Sequence, residues 1–343
     1  MTSEHPPVLK ATSPVDLLAL VPYLLGYHPS DSIVIVGLHD QRVRFAARTS
    51  LPEDPDTPDS VAHDVAAVMA RQSVQETLIV GYGPQDRVVA ATNAITVALH
   101  GVNLPVRDTL RVTDGRYFVD WCREPCCPAE GIAFDPASSA MAAHATYAGV
   151  VALPDRESLQ ATVAPVDGPA RTAMRDATDR AAQRMAALLH APPGADDEPA
   201  PVTPPANGTP DMGDVVLRSG RTAVADAVDR YRHGGHLTDD EAAWLAVLLT
   251  HTPVRDHAAL HTDGQEDDMR LWLDLTRRAQ PELVAGPATL LGYVAYRRGD
   301  GAVAAIALER ALHAQPGYRL AVLLSEALAA GIPPSALDDL PTP

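Results

Sequence analysis

Lysine is almost missing from this chain, cysteine and aromatic residues are scarce, and no apolar run is long. Each shortage removes a class of function. The single lysine, Lys10, stands against abundant arginine and alanine, which reads as a coding bias and not as a demand for guanidinium chemistry. In all, 27 Lys and Arg face 44 Asp and Glu, a net charge of -17 that repels phosphate backbones and anionic lipid surfaces at long range. Aromatics make up 4 % of the residues and no basic helix is apparent, so nucleic acid is not expected as a partner. The three cysteines all lie between Cys122 and Cys127, which excludes a disulfide framework spread over the chain and predicts reduced thiols. No stretch approaches the roughly 20 apolar residues needed to cross a bilayer, and MTSEHPPVLK lacks an export signal, so the expected location is the cytoplasm, away from any membrane.

What is present suits a globular protein of two domains: 343 residues, 46 % of them hydrophobic. SPVDLLALVPYLLGYHP opens the first helix, with Ser13 as cap, Pro14 at the first helical position and Asp16 completing a capping box; Gly26 ends it and Pro22 predicts a kink. Ile33, Val34, Ile35 and Val36, in a strand from Ser32 to Leu38, have no polar alternation, as in a central strand covered on both faces; Thr77 to Val80 reads the same way. Between them Val43, Phe45 and Ala47 alternate with Arg42, Arg44 and Arg48, an antiparallel partner reached through a turn at His39 to Gln41, so the sheet should be mixed. Helices are predicted near 59–72, 84–100 and 138–148, and strands at Val106 to Val112 and Arg116 to Trp121 flank an Asp114-Gly115 hairpin turn.

A long amphipathic helix over 168–190 leads to APPGADDEPAPVTPPANGTPDMG, too rich in proline and acidic residues to bury an apolar face. The expected organisation is therefore an α/β domain over 1–190 ending in that helix, a disordered acidic linker over 191–213, and an all-helical domain over 214–343. Within the last, residues 285–318 follow the tetratricopeptide template at Leu291-Gly292, Ala295, Ala304, Leu308, Ala311 and Pro316, although Ala288 stands where an aromatic is usual. One such hairpin is expected, not an array.

Four segments in order, PYLLGYHPSDSIVIVG, CCPAEG, AWLAVLLTHTPVRD and GDGAVAAIALERALHAQPGYRLAVLL, resemble the bacterial family catalogued as domain of unknown function 4192 over nearly the whole chain. That resemblance brings no activity, substrate or cofactor with it.

The candidate sites are therefore judged on chemistry. Cys122, Cys126 and Cys127 share one tight loop that could hold zinc with His144 or His100 as fourth ligand. Adjacent cysteines chelate one tetrahedral ion awkwardly, and a redox role has only Arg123 as an adjacent cation, against Glu124 and Glu130, so packing thiols without a metal are the preferred reading. Gly81, Tyr82 and Gly83, with Pro84, join a buried strand to a helix, the edge of an α/β sheet where small anions dock, but the full phosphate fingerprints are absent. His28, Asp31 and Ser32 connect a helix to a strand, which assigns them to the opposite, amino edge. His251 and Arg255 lie four apart with Asp256 adjacent, but Pro253 breaks a shared helix, so a buried polar bridge between neighbouring helices is the preferred reading and an electrostatic docking surface with Arg218 and Arg221 the functional alternative.

No catalytic set emerges, so the reading leans away from an enzyme. The favoured function is a cytoplasmic interaction or adaptor module, with the helical domain presenting a face to a protein partner. The alternative is an α/β domain that binds or transforms a small anion at Gly81 to Pro84, with the loop Cys122 to Cys127 as a neighbouring wall.

Overall fold

A computed structural model describes residues 13–53, 58–122, 124–136, 139–147, 149–190 and 212–337. It divides into two compact units, one of Met1–Thr162 with Ala327–Pro343 and one of Val163–Glu326.

In the first unit, β1 (Ser32–His39) is buried along Ile33 to Val36 because residues of both parities are covered. It pairs antiparallel with β2 (Arg42–Ser50) on one side and with β3 (Glu76–Tyr82) on the other. β3 runs parallel to β4 (Val106–Thr113), and β5 (Arg116–Phe118) and β6 (Ile132–Ala133) follow antiparallel, giving the order β2-β1-β3-β4-β5-β6. The sheet is mixed, as the alternation of Arg42 to Arg48 implied. Both hairpins turn through two consecutive left-handed residues, Asp40-Gln41 at φ 48° and 63° and Asp114-Gly115 at φ 50° and 69°, the geometry that matches strand twist.

Helices α2 (Pro58–Ala70) and α3 (Gln85–Gly101) cover one face, over a core that includes Ile33, Ile35, Met69, Ile79, Ile95 and Leu99. α1 (Pro14–Leu25) begins with the expected capping box, Ser13 Oγ accepting from the Asp16 amide and Asp16 Oδ2 from the Ser13 amide, each at 3.1 Å. It runs on through Pro22 to a left-handed Gly26 and packs with α4 (Ala140–Tyr147).

The second unit is helical: α6 (Gly168–His190), α7 (Met212–Arg232), α8 (Asp239–Leu248), α9 (Thr252–Leu260), α10 (Glu266–Arg278), α11 (Ala285–Arg297) and α12 (Gly301–Ala314). Its core is built on Tyr231, Leu245, Leu271, Trp272, Leu290 and Leu291. Two short elements straddle the divisions between units, α5 (Arg156–Val163) and α13 (Arg319–Ala329).

These boundaries differ from the expected ones. α6 belongs to the helical unit, not to the α/β domain, because Arg180 pairs with Asp240 at 2.6 Å and Arg184 stacks over Trp244 at 4.1 Å, both on α8. The far end of the chain belongs to the α/β unit: Arg71 and Gln72, at the end of α2, donate to the carbonyls of Ala330 and Gly331. The acidic connector falls on residues 191–211, outside the described residues, and α7 already begins at Met212. Pro253 starts α9 instead of merely ending α8, since it sits in the first turn, where its missing N–H costs nothing. Among the described residues no helix is long and apolar enough to cross a membrane.

Candidate thiolate metal centre

β5 is shorter than its sequence suggested because Asp120 turns away from the strand to Arg111. That guanidinium is held in a fork, Nε and Nη2 donating to Asp120 at 2.9 and 3.0 Å, and it lies 3.8 Å over the Phe118 ring. Trp121 Nε1 donates to Asp108 Oδ1 at 3.2 Å, which fixes the next residue against β4. At the far end of the loop Arg116 donates to the carbonyls of Glu130 and Gly131 at 2.7 and 2.9 Å. Gly131 has φ 74°, and a Cβ there would come within 2.6 Å of the Phe118 ring, so the loop returns tightly on the strand it left.

Between these two arginine clamps the chain folds on itself, the Cys122 amide donating to Val119 O at 3.0 Å and the Cys127 amide to Glu124 O at 2.9 Å. The result is that the sulfurs of Cys122, Cys126 and Cys127 all lie within 4.8 Å of one another. Cys126 and Cys127 Sγ are 3.8 Å apart. Two thiolates on one tetrahedral zinc, with Zn–S bonds of about 2.3 Å, stand about 3.8 Å apart, so adjacency in sequence is no obstacle here.

The thiols are not equivalent. The Glu124 backbone amide, and then Cys127, hold the Cys122 thiol below its ordinary range. Cys127, sharing its hydrogen with Cys122 and partly desolvated, is pushed up to about 12. Burial, and the neighbouring Cys127, raise Tyr117. Cys126 is exposed and the other two are partly covered, so an incoming ion has access. Among the described residues no histidine or carboxylate joins the group: His144, exposed in the last turn of α4, and His100, exposed in the last turn of α3, are not part of it. Arg123 lies outside the described residues.

The glycine turn is elsewhere on the sheet. The Gly83 amide donates to Val112 O at 3.1 Å, near the end of β4, whereas Trp121 contacts Asp108 near its start. Those positions are four residues apart, about 13 Å along a strand rising roughly 3.3 Å per residue. The cysteine loop is therefore not a wall of that turn.

Its glycines have packing reasons: a Cβ on Gly81 would meet Val88 Cγ1 at 2.2 Å, and one on Gly83, at φ 138°, would meet Leu51 Cδ2 at 2.9 Å. The Tyr82 hydroxyl is buried without a hydrogen-bond partner. Because β1 and β3 are antiparallel, Ser32 is paired with Tyr82, so Asp31 and Ser32 sit on the same edge as Gly83 and not opposite it. Arg87 organises that edge, donating to the Leu51 and Pro52 carbonyls at 3.0 and 2.9 Å with Asp31 3.7 Å away. His28 is exposed and its amide donates to Leu153 O at 2.9 Å.

In the helical unit, His251 caps the backbone start of α9, and Arg255 Nε donates to Asp256 at 2.9 Å while its guanidinium lies 5.4 Å from the Tyr318 ring centre. The Arg255–Asp256 pair lies between neighbours on α9 and joins no second helix. Arg218 and Arg221 are exposed on α7, which meets α9 where Gly220 faces Val254. Arg221 comes near His257, whose ring stacks 3.8 Å from His261. Both histidines went unnoticed in the sequence, although their spacing of four on one helix is a legible signal.

With this geometry in hand, comparison with known proteins adds one relation. The model for Domain of unknown function (DUF4192) matches residues 14–335. The chain belongs to the DUF4192 family. The match takes in both units and the cysteine loop, so the three thiols sit within the DUF4192 region and not in an appendage to it. No curated protein and no solved structure matches the chain.

Proposed function

We propose that this DUF4192 protein is a thiolate metal-binding protein, its loop from Asp120 to Gly131 holding a soft ion such as Zn²⁺ or Cu⁺ through Cys122, Cys126 and Cys127. The observation that carries the reading is the convergence of three sulfurs within 4.8 Å on a loop clamped at both ends by arginines. Soft thiolates select such ions over hard ones. Three protein ligands leave a fourth position open for water or an exogenous ligand, the pattern of zinc sites that do more than brace a fold. The reading requires reduced thiols and hence a reducing compartment, the cytoplasm. Titrating the reduced protein with Co²⁺ should produce intense thiolate-to-metal absorption that Zn²⁺ displaces one for one. Absence of that absorption, or its undiminished intensity and affinity in Cys127→Ser, would overturn the reading.

A second activity is proposed for the helical unit, as a docking module for a protein partner. What favours it is the close pairing of α11 with α12, where a Cβ on Gly292 would meet Leu308 Cγ at 2.7 Å and Ala295, Ala304 and Ala311 are fully buried. Small residues at that crossing are what a tetratricopeptide-like hairpin needs. Cross-linking of the full chain in cells should recover one specific partner through α11–α13; recovery of cross-links only within the chain itself would count against it.

A further inference from the structure

Three buried polar atoms at one corner of the sheet have no hydrogen-bond partner among the described residues: Ser32 Oγ, Arg48 Nε and the Tyr82 hydroxyl. Strand register brings their residues together. Ser32 is paired with Ser50 of β2 on one side and with Tyr82 of β3 on the other, and Arg48 stands two residues before Ser50 on the same strand. Directly paired residues share a face, with Cβ atoms about 4.5–5.5 Å apart. Because Ile33, Ile35 and Ile79 face the core under α2 and α3, alternation turns Ser32, Arg48, Ser50 and Tyr82 to the opposite face. Arg48 reaches along β2, its Nη1 donating to Ser50 Oγ at 3.0 Å. Ser32 is fully buried and Tyr82 is 9 % exposed, whereas Ser50 is exposed on the edge strand, so the corner opens to solvent there. The carboxylate next in the chain is directed elsewhere, Asp31 Oδ1 lying 3.7 Å from Arg87 of α3.

Packing explains the glycines on the α3 side of this corner, but it does not explain three unpaired polar atoms on the other side, which are costly to bury. Their chemistry defines what satisfies them. The guanidinium Nε–H can only donate, and both hydroxyls are able to. Burial raises the Tyr82 phenol, which therefore keeps its proton. All three offer a hydrogen, beside one positive charge. We infer that Ser32, Arg48 and Tyr82 form a binding site for a small oxyanion, a carboxylate or phosphate group, on the face of the sheet turned away from α2 and α3. Arg48 supplies the charge-assisted bond, and the two hydroxyls, fixed on the central strands β1 and β3, orient the bound group.

The test uses the full chain, with inorganic phosphate and acetate as probes, each titrated against chloride at matched ionic strength. Melting is followed for the wild type, for Tyr82→Phe and for Arg48→Met. The wild type should melt about 3–5 °C higher at ten times the Kd that the titration yields, and the probe that acts identifies the group as phosphate or carboxylate. Each variant should lose most of that gain. In chloride, Tyr82→Phe should melt no lower than the wild type, because it deletes a hydroxyl that the folded chain leaves unpaired. A gain that either variant retains in full, or no gain with either probe, overturns the inference. So does a Tyr82→Phe protein that melts markedly lower in chloride, since the hydroxyl would then be bonded through water as part of the fold.

Discussion

The two ends of one sheet invite different explanations. At the end where β3 meets α3, packing accounts for the unusual residues: Gly81 and Gly83 are glycine because Val88 and Leu51 occupy the space a Cβ would need, and Arg87 is spent on backbone carbonyls. At the other end, packing accounts for the clamps but not for what they hold. Arg111, Arg116 and Gly131 shape the loop, whereas Cys126 is exposed and serves no core. A residue that the fold needs says little about function; a reactive residue that the fold positions without needing it says much.

The largest effect that would separate the two ends is on metal affinity. Cys127→Ser should weaken binding of Zn²⁺ by a factor of at least about 100, since it removes one of three ligands, while Gly83→Ala should leave affinity unchanged. Competition with a chromophoric chelator measures both. If the glycine variant also lost the metal, the two ends would not be independent.

Stability should show the converse. Gly81→Ala forces a methyl to 2.2 Å from Val88 and should destabilise the α/β unit by about 2–3 kcal/mol in denaturant unfolding. Val88→Ala should recover part of that loss by opening the space. Cys127→Ser, in a partly exposed loop, should change metal-free stability by less than about 1 kcal/mol.

The clamp links shape to chemistry. Arg111→Met keeps the buried stem but deprives Asp120 of its partner and should cost about 1–3 kcal/mol. Because ligands held less firmly bind less well, the same variant should lose roughly tenfold in metal affinity. An unchanged affinity would mean that the sulfurs hold their places without Arg111.

How far the chain could be read in advance depended on the range of the interaction. The capping box at Ser13, the apolar run of β1 and the Asp114-Gly115 turn are local, and each was legible. The edge assignment of Asp31 and Ser32 failed because it rested on strand direction: a helix-to-strand connection marks the opposite edge only if the strands are parallel, and β1 opposes β3. The placement of α6 failed for a related reason. Its apolar stripe of Met174, Ala177 and Ala181 announces that it packs, but not on what, and the deciding contacts come from Asp240 and Trp244 some 60 residues on. The arginine clamps were invisible for the same cause, since the bonds from Arg116 and Arg111 to the loop depend on where β5 stops.

The smallest effect is the most specific to a three-thiol site, and it is a slope. Cys127 stays protonated until about 12, while Cys122 deprotonates below its ordinary value. At neutral pH an ion must therefore expel the Cys127 proton before all three sulfurs can bind. Protons released on binding make affinity rise with pH and fall as acid is added, by about tenfold per proton and pH unit. For the wild type this predicts a slope of at least about one decade per unit around neutrality. Cys127→Ser, lacking the thiol that holds its proton most strongly, should bind weakly but with a slope shallower by about one. A wild-type affinity that did not vary with pH would mean that the sulfurs are not the ligands, and the contrast between the two ends of the sheet would then have no chemical content.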